Sequence, residues 1–182
     1  MIGQYIDRDQ VRYDPSKNQE LFAVFKQTCC WTIFDDFANL RAEYLPGGSN
    51  QGTGKWGREI NNGAVFVVTW VFVSRDWRGK GLGELMFRCL LRKAFMIGEG
   101  YKWAIVEPGV IVESPGIGCK RKGEGEDDML DVARRFYRKF GFRRVGTTGV
   151  FARATNRNHP TRRVDFTKRM DLDGDELLLS ED

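Results

Sequence analysis

Residues 64–94 read AVFVVTWVFVSRDWRGKGLGELMFRCLLRKA, and this stretch contains three kinds of local sequence pattern in succession. Its first ten residues are almost all apolar and many are β-branched, which is typical of a strand covered on both faces. Glycines at 79, 81 and 83 then predict a turn. From Leu82 onward, apolar side chains recur at offsets 0, 3, 4, 7, 8 and 12, which is one face of a helix. The stretch therefore predicts a buried strand, a glycine-rich loop and a helix N-terminus.

The loop between this strand and this helix is suited to binding an anion. The first turn of a helix has unpaired N–H groups and the positive end of the helix dipole. Glycines let phosphate oxygens approach the backbone without a Cβ in the way, and Arg78 and Lys80 add positive charge. A P-loop does not fit, because the loop ends in Gly83-Glu84, and the spacing Gly-x-Gly-x-Gly differs from the dinucleotide fingerprint.

Further strands and helices are predicted on both sides of this stretch. The patterns predict a strand at 2–6, one or two helices over about 15–42, a hairpin of 56–60 with 64–73 through Asn61-Asn62-Gly63, a strand at 101–106, a helix from Met129 to Phe140 capped by Gly141, and strands within 142–152 and 163–170. The segment 108–126 holds five glycines and two prolines and has no periodicity. Strands and helices are mixed without strict alternation, so the fold class is α+β, or mixed α/β.

Length and composition limit the classes of protein. The 182 residues favour one domain, which we expect to span 1–170, followed by a flexible acidic tail at 171–182. No run of about 18 apolar residues predicts a membrane helix, and the first residues lack the pattern of a signal peptide. The four cysteines fit neither a zinc spacing nor a dense disulfide framework, so we expect no metal and an intracellular, cytoplasmic setting. The single histidine, His159, excludes a multi-histidine metal site.

The net charge of +4 is unevenly distributed along the chain. Residues 120–170 carry a net +9, and residues 171–182 carry six acidic residues and no basic one. A basic block attracts phosphates, nucleic acid or acidic partners, although a solvated surface is its commoner explanation. The acidic tail does not match a calcium loop, because Gly174 stands at the fourth position instead of the sixth.

Two motifs resemble those of the GNAT N-acetyltransferases. The run Val73-Ser-Arg-Asp-Trp-Arg78-Gly-Lys-Gly81-Leu-Gly83 is similar to the acyl-CoA motif of that family, Arg/Gln-x-x-Gly-x-Gly/Ala after a hydrophobic strand. The run from Ala133 to Phe142, ARRFYRKFGF, resembles the family's late helix and the strand after it. The resemblance covers about residues 56–152, with 108–126 as a long insertion. The runs 144–151 and 159–162 are more loosely similar to uncharacterised fungal-type members. The resemblance implies a single domain with a central, mostly antiparallel, twisted sheet flanked by helices.

The resemblance also implies where acetyl-CoA binds. The pyrophosphate would contact the backbone amides of Gly79, Lys80, Gly81, Leu82 and Gly83, with Arg78 beside them. The pantetheine arm would pair with the strand edge at Val71, Phe72 and Val73. A backbone N–H at that edge could polarise the thioester carbonyl, as an oxyanion-hole donor does.

The catalytic residues are predicted from position within the same family pattern. Tyr137 matches the tyrosine that protonates the departing CoA thiolate, and the alternative is a core tyrosine on the apolar helix face. Glu107, at the end of the predicted strand 101–106, is the candidate general base acting through water, with Glu59 and Glu43 as alternatives. The adjacent Cys29 and Cys30 are assigned no role.

The expected function is direct transfer of an acetyl group from acetyl-CoA to an amine of a small molecule or protein. No covalent enzyme intermediate is expected, since no activated nucleophile is evident. The alternative is a catalytically inactive acyl-CoA-binding sensor or interaction module. Nucleic-acid binding by the basic block is a third hypothesis, and we do not expect it. The segment 108–126 is expected to border the acceptor site as a mobile lid, and the sequence predicts no oligomeric state.

Overall fold

Five strands form one mixed sheet in the computed structural model, which describes residues 2–9, 23, 25–53, 55–97, 100–109 and 126–162. The strands are β1 (Ile2–Ile6), β2 (Val65–Trp70), β3 (Trp103–Val106), β4 (Arg143–Arg144) and β5 (Phe151–Ala154), and the helices are α1 (Cys30–Ile33), α2 (Leu82–Ile97) and α3 (Glu126–Lys139). Much of the predicted N-terminal helix, most of the segment 108–126, the strand at 163–170 and the acidic tail lie outside the described residues.

The order of the strands in the sheet is β1-β2-β3-β5-β4. Strands β2 and β3 run parallel, and the other three neighbouring pairs are antiparallel. A parallel pair needs a crossover connection, and α2 lies in the chain between β2 and β3. The mostly antiparallel sheet with flanking helices confirms the expected fold class.

The first four residues of β2, Val65–Val68, are buried on both faces, as the apolar run predicts, whereas Thr69 and Trp70 are exposed. Val65 and Val67 belong to a core on one face of the sheet, which we call the N-terminal core because it also contains Phe25 and Ile33. Phe66 and Val68 belong to a second core on the other face, the helix-side core. Successive residues of a strand point to opposite faces, so one strand supplies both cores.

The predicted hairpin of 56–60 with 64–73 is wrong. Residues Arg58–Asn61 form a 3₁₀ turn, and the antiparallel neighbour of β2 is β1. Gly63 has the positive φ of +88° that a tight turn needs, but Asn62 has a φ of −104°. Tertiary hydrogen bonds determine this segment, because the Asn61 side chain accepts from the backbone N–H of Leu40 at 2.7 Å. The Gly63 carbonyl accepts from the Arg8 guanidinium at 3.0 and 2.7 Å.

The helices predicted over about 15–42 are confirmed only in part. Helix α1 lies within that range, but the chain then turns, and Phe34 pairs with Leu40 in an antiparallel bridge. The carboxylate of Asp35 causes this turn by accepting backbone N–H groups two and four residues later, at 3.0 and 2.8 Å. An aspartate that binds nearby backbone N–H groups competes with helix formation, so the apolar spacing after Ile33 does not produce a helix.

Helices α2 and α3 confirm the two strongest helical patterns. Helix α3 ends at the predicted glycine: Gly141 has a φ of +82° and donates its N–H to the Arg138 carbonyl at 2.9 Å. The N–H of Phe142 donates to the Tyr137 carbonyl at 3.3 Å, which completes a Schellman cap. Both helices pack on the helix-side core through Phe87 of α2 and Tyr137 of α3. The predicted strand region 142–152 contains β4 and the start of β5, joined by a turn.

Candidate functional site

A cleft of about 550 Å³ lies where β2, the glycine loop and the two long helices meet. We call it the loop cleft. It is lined by Val71, Phe72, Val73, Trp77, Arg78, Gly79, Gly81, Leu82, Gly83, Glu84, Gly109, Met129, Val132, Ala133, Phe136, Tyr137 and Lys139. The structure thus brings together most of the loop and strand residues predicted to hold a cofactor, and it adds Tyr137 from a distant part of the sequence.

The glycine loop adopts a conformation that its glycines make possible. Gly79 and Gly81 have φ values of +74° and +75°, which L side chains rarely adopt. A Cβ built on either residue would meet no atom within 4 Å, so both glycines border open space. The Leu85 N–H donates to the Gly81 carbonyl at 3.1 Å as α2 begins. The first N–H groups of the helix therefore follow directly on an open, glycine-lined surface.

The two basic residues of the loop lie in different places. Arg78 lines the loop cleft, and its Nε donates to the Val73 carbonyl at 2.8 Å. This hydrogen bond ties the loop to Val73, three residues after the end of β2, and holds the guanidinium at the cleft. Lys80 is exposed and is not among the residues that line the cleft, although its ammonium lies 4.9 Å from the centre of the ring of Trp77, which does line it.

Residues 71–73 extend beyond the paired part of the sheet. The register of β2 with β3 ends at Val68 and Val106, and that with β1 ends at Trp70. Within the described part of the chain, the backbone N–H groups of Val71, Phe72 and Val73 donate to no acceptor. These half-buried residues line the loop cleft, so an extended ligand there could pair with their backbone.

Tyr137 lies at the border between the helix-side core and the loop cleft. It is 6% exposed, and its ring packs edge-on against Phe87 at 5.5 Å and Phe142 at 5.8 Å. Burial raises the pKa of Tyr137 to about 12, with no charge or hydrogen bond of a described residue offsetting it. The phenol is therefore protonated at neutral pH and can donate a proton into the cleft.

Glu107 is placed outside the lining of the loop cleft. It is exposed just after β3, beside Gly149, whose added Cβ would lie 3.3 Å from the Glu107 Oε1. The hydrogen bond that the Cys29 thiol donates to Cys30, together with burial, raises the pKa of Cys29, and the charge of Glu107 adds a smaller contribution in the same direction. Glu107 follows Ile105 by two residues, so the alternation along a strand places both on the same face of the sheet. Ile105 belongs to the N-terminal core, and Glu107 therefore lies on the face opposite α2 and α3.

The two alternative carboxylates are also remote from the cleft lining. Glu59 accepts the Gly57 N–H at 2.9 Å and faces His159 Nε2 at 3.3 Å. His159 is buried, stacks on Trp56 at 5.4 Å, and has its other ring nitrogen 2.7 Å from the Thr161 hydroxyl. The pair therefore holds the 3₁₀ turn Pro160–Arg162 against the core. Glu43 lies in the 3₁₀ turn Ala42–Tyr44, away from the cleft.

Sequence reasoning missed several lining residues of the loop cleft. Met129, Val132, Ala133 and Phe136 form the apolar stripe that identifies α3, and a stripe of this kind predicts core packing. In the structure this stripe lines the cleft, and Val132 is 63% exposed. The signal was present in the sequence, but periodicity alone does not distinguish the wall of a ligand cleft from a core.

No described helix is long and apolar enough to cross a membrane. Among the same residues, no group of three or more His, Cys, Asp or Glu side chains is arranged to hold a metal ion.

Comparison with known proteins identifies the family. No curated protein and no solved structure matches the chain significantly. The family model described as "Acetyltransferase (GNAT) domain" matches residues 27–144, which include β2, the glycine loop, α2, β3 and α3. Domains of this family use acetyl-CoA as co-substrate. The match covers more than half of the chain, and we conclude that the chain belongs to the GNAT acetyltransferase family.

Proposed function

We propose that this protein transfers an acetyl group from acetyl-CoA directly to an amine acceptor. The observation that carries the proposal is the loop cleft, which joins an open glycine loop, an unpaired strand edge and a buried tyrosine in one space. Each of these three features matches one part of the expected chemistry: anion binding, alignment of an extended arm, and proton donation.

The residues present fit acetyl-CoA. Backbone N–H groups from Gly79 to Gly83 bind the pyrophosphate at the start of α2, where the helix dipole favours negative charge. The absence of a Cβ at Gly79 and Gly81 leaves the room that phosphate oxygens need. The Arg78 guanidinium adds a charge-assisted contact. The backbone of Val71, Phe72 and Val73 pairs with the amides of the pantetheine arm.

Acetyl-CoA, when bound, supplies a thioester whose acyl carbon is attacked by the amine, so that a C–N bond forms and the C–S bond breaks. A backbone N–H from Val71 to Val73 donates to the carbonyl oxygen as negative charge develops on it. Tyr137 gives its phenolic proton to the sulfur, which leaves with the electron pair of the broken bond. Burial disfavours a free thiolate and also raises the pKa of Tyr137, so the phenol gives up its proton only as negative charge develops on the sulfur, and the proton that the acylated nitrogen loses restores the phenol.

The acceptor must lose a proton before it attacks, since a primary ammonium has an ordinary pKa of about 10.4. We assign this step to Glu107, acting through water from the end of β3. Glu107 lies on the face of the sheet opposite α2 and α3, and this is compatible with an acceptor amine that approaches the thioester from that side.

A second candidate function is an acyl-CoA-binding module without catalysis. The observation in its favour is that Glu84 provides the sole carboxylate among the described residues that line the loop cleft. The Arg88 guanidinium lies 2.6 Å from the Glu84 carboxylate and lowers its pKa, so it is a poor base. Mass spectrometry of a panel of amines incubated with acetyl-CoA separates the two: acetylated products support the enzyme, and binding without any product supports the module.

The acetyl-CoA site is tested by Gly81→Val. We expect acetyl-CoA affinity to fall at least about 100-fold, because the side chain would occupy the space that phosphate oxygens approach. Isothermal titration calorimetry on folded protein measures the change. Gly47→Val is the matched control, since Gly47 also has a positive φ, +88°, and open space around it but lies outside the loop cleft. Unchanged affinity in a folded Gly81→Val variant would show that the phosphates bind elsewhere.

A further inference from the structure

A second cavity, of about 590 Å³, lies beside the C-terminal half of α2. We call it the arginine cavity. Fourteen of the described residues line it, and of these seven are basic and none is acidic: Arg88, Arg92, Lys139, Arg143, Arg153, Arg157 and Arg162. Its apolar wall is formed by Leu91, Phe95, Met96, Tyr101 and Phe140. Lys139 is shared with the loop cleft, and otherwise the two sets of lining residues are different.

Backbone carbonyls at the end of α3 hold part of this cluster in place. The Phe140 carbonyl accepts from Arg153 Nε and from Arg162 Nη1, both at 2.8 Å. Arg143 Nη1 donates to the Phe142 carbonyl at 2.7 Å. One explanation of the cluster is therefore helix capping, because a cation near a helix C-terminus complements the partial negative charge there. That partial charge is only about half an elementary charge, so three guanidinium groups exceed what capping requires.

The positive charge in the arginine cavity is poorly compensated by the described residues. Arg88 has a carboxylate partner in Glu84, which does not line the cavity. The Nε of Arg162 is buried and has no hydrogen-bond partner in the described part of the chain. Burial and the charges of Arg153, Arg143 and Arg157 together lower the pKa of Arg162 to about 10. An anion bound among these guanidinium groups would offset both the cost of their burial and their mutual repulsion.

We infer that the arginine cavity binds a small molecule bearing a phosphate or pyrophosphate group. The guanidinium groups match the geometry of phosphate oxygens and can each donate two hydrogen bonds to them. The apolar wall beside them accommodates the organic part of the same ligand. The volume is that of an ordinary small-molecule site. Arg143 is buried and Arg153 is half-buried in this cavity, whereas a nucleic-acid strand on a flat surface would not require buried arginines. This site is additional to the loop cleft and does not depend on the reaction proposed there.

Inorganic pyrophosphate is the probe, titrated by calorimetry into protein saturated with acetyl-CoA so that the glycine loop is occupied. The test variant carries Arg92→Gln and Arg157→Gln, both at exposed positions that contribute no described capping bond. The control carries Arg58→Gln and Arg135→Gln, which change the net charge equally at exposed positions outside both cavities. In the parent we expect pyrophosphate to bind with a Kd below about 1 mM. The affinity should fall about tenfold or more in the test variant and change by no more than about twofold in the control.

Other outcomes overturn the inference. Equal loss in test and control variants would mean that pyrophosphate responds to net charge alone. No binding at low salt, or binding that acetyl-CoA abolishes, would mean that the cavity takes no phosphate of its own. If a single-stranded oligonucleotide binds, depends on Arg92 and Arg157, and pyrophosphate does not bind, the surface serves nucleic acid. Acetyl-CoA affinity should stay within about twofold in the test variant, and this separates failure here from failure of the proposed reaction.

Discussion

At the scale of single residues, Tyr137 has the position on which the proposed chemistry depends most. Tyr137→Phe should lower kcat by about 100-fold and leave acetyl-CoA affinity within about twofold, because a general acid acts in the transition state and contributes little to binding. Turnover with an identified amine acceptor and calorimetric affinity for acetyl-CoA measure the two effects. Since the pKa of Tyr137 is raised to about 12, its ionisation should not reduce the parent rate below about pH 11.

Tyr44→Phe is the matched control for this substitution. Tyr44 is also buried, 8% exposed, but it belongs to the N-terminal core on the other face of the sheet. Its variant should therefore retain the parent rate. A Tyr137→Phe enzyme that turns over as fast as the parent would show that Tyr137 only packs the core.

Glu107 shows how far a sequence can place a single side chain. The apolar run that ends at Val106 correctly predicts where β3 ends, and so it correctly places Glu107 just after that strand. Alternation along the strand also assigns Glu107 to the face of Trp103 and Ile105. The face on which the loop cleft lies depends on how α2 and α3 pack, which no local pattern contains. The assignment of Glu107 as base therefore stays a prediction.

At the scale of elements, the end of α3 couples the glycine cap to the arginine cavity. Gly141→Ala should destabilise the fold by about 2–4 kcal/mol, since a left-handed residue with a side chain costs about 1–2 kcal/mol and the new Cβ would also collide with the Arg162 guanidinium. Denaturant unfolding measures the free energy of unfolding.

Gly47→Ala separates the two contributions to that loss. Gly47 has a similar φ, +88°, but nothing within 4 Å of an added Cβ, so its variant should show only the conformational cost. Equal losses in the two variants would mean that Arg162 moves away at no cost. In that case the guanidinium is not held tightly by the Phe140 carbonyl.

The elements that the sequence predicted well are those whose signals are local. Helix α3 has an apolar stripe and a glycine at its end, and both features act within a few residues. The hairpin prediction failed because Asn61-Asn62-Gly63 has the composition of a tight turn, while its conformation is determined by distant groups. Leu40 and Arg8 supply those groups, and their positions depend on the whole fold.

At the scale of the whole molecule, the sheet separates two cores with different consequences for function. The N-terminal core contains Trp56 and Trp103, and the helix-side core contains Phe87 and Tyr137 beside the loop cleft. The apolar run of β2 predicts burial on both faces, but it does not say which face supports the cofactor. That distinction arises from the parallel crossover through α2, which brings the glycine loop and α3 to one side.

Val67 and Val68 test this separation, because they are neighbours in β2, each 1% exposed, and belong to opposite cores. We expect Val67→Ala and Val68→Ala to lose similar stability, about 1–3 kcal/mol each, from lost burial and the cavity left behind. Acetyl-CoA affinity should fall several-fold only in Val68→Ala, since loosening the helix-side core displaces the helices that line the loop cleft. Denaturant unfolding and calorimetry measure both quantities on the same samples. If Val67→Ala weakens acetyl-CoA as much as Val68→Ala does, the sheet transmits packing changes through both faces, and the loop cleft depends on the whole domain and not on one core.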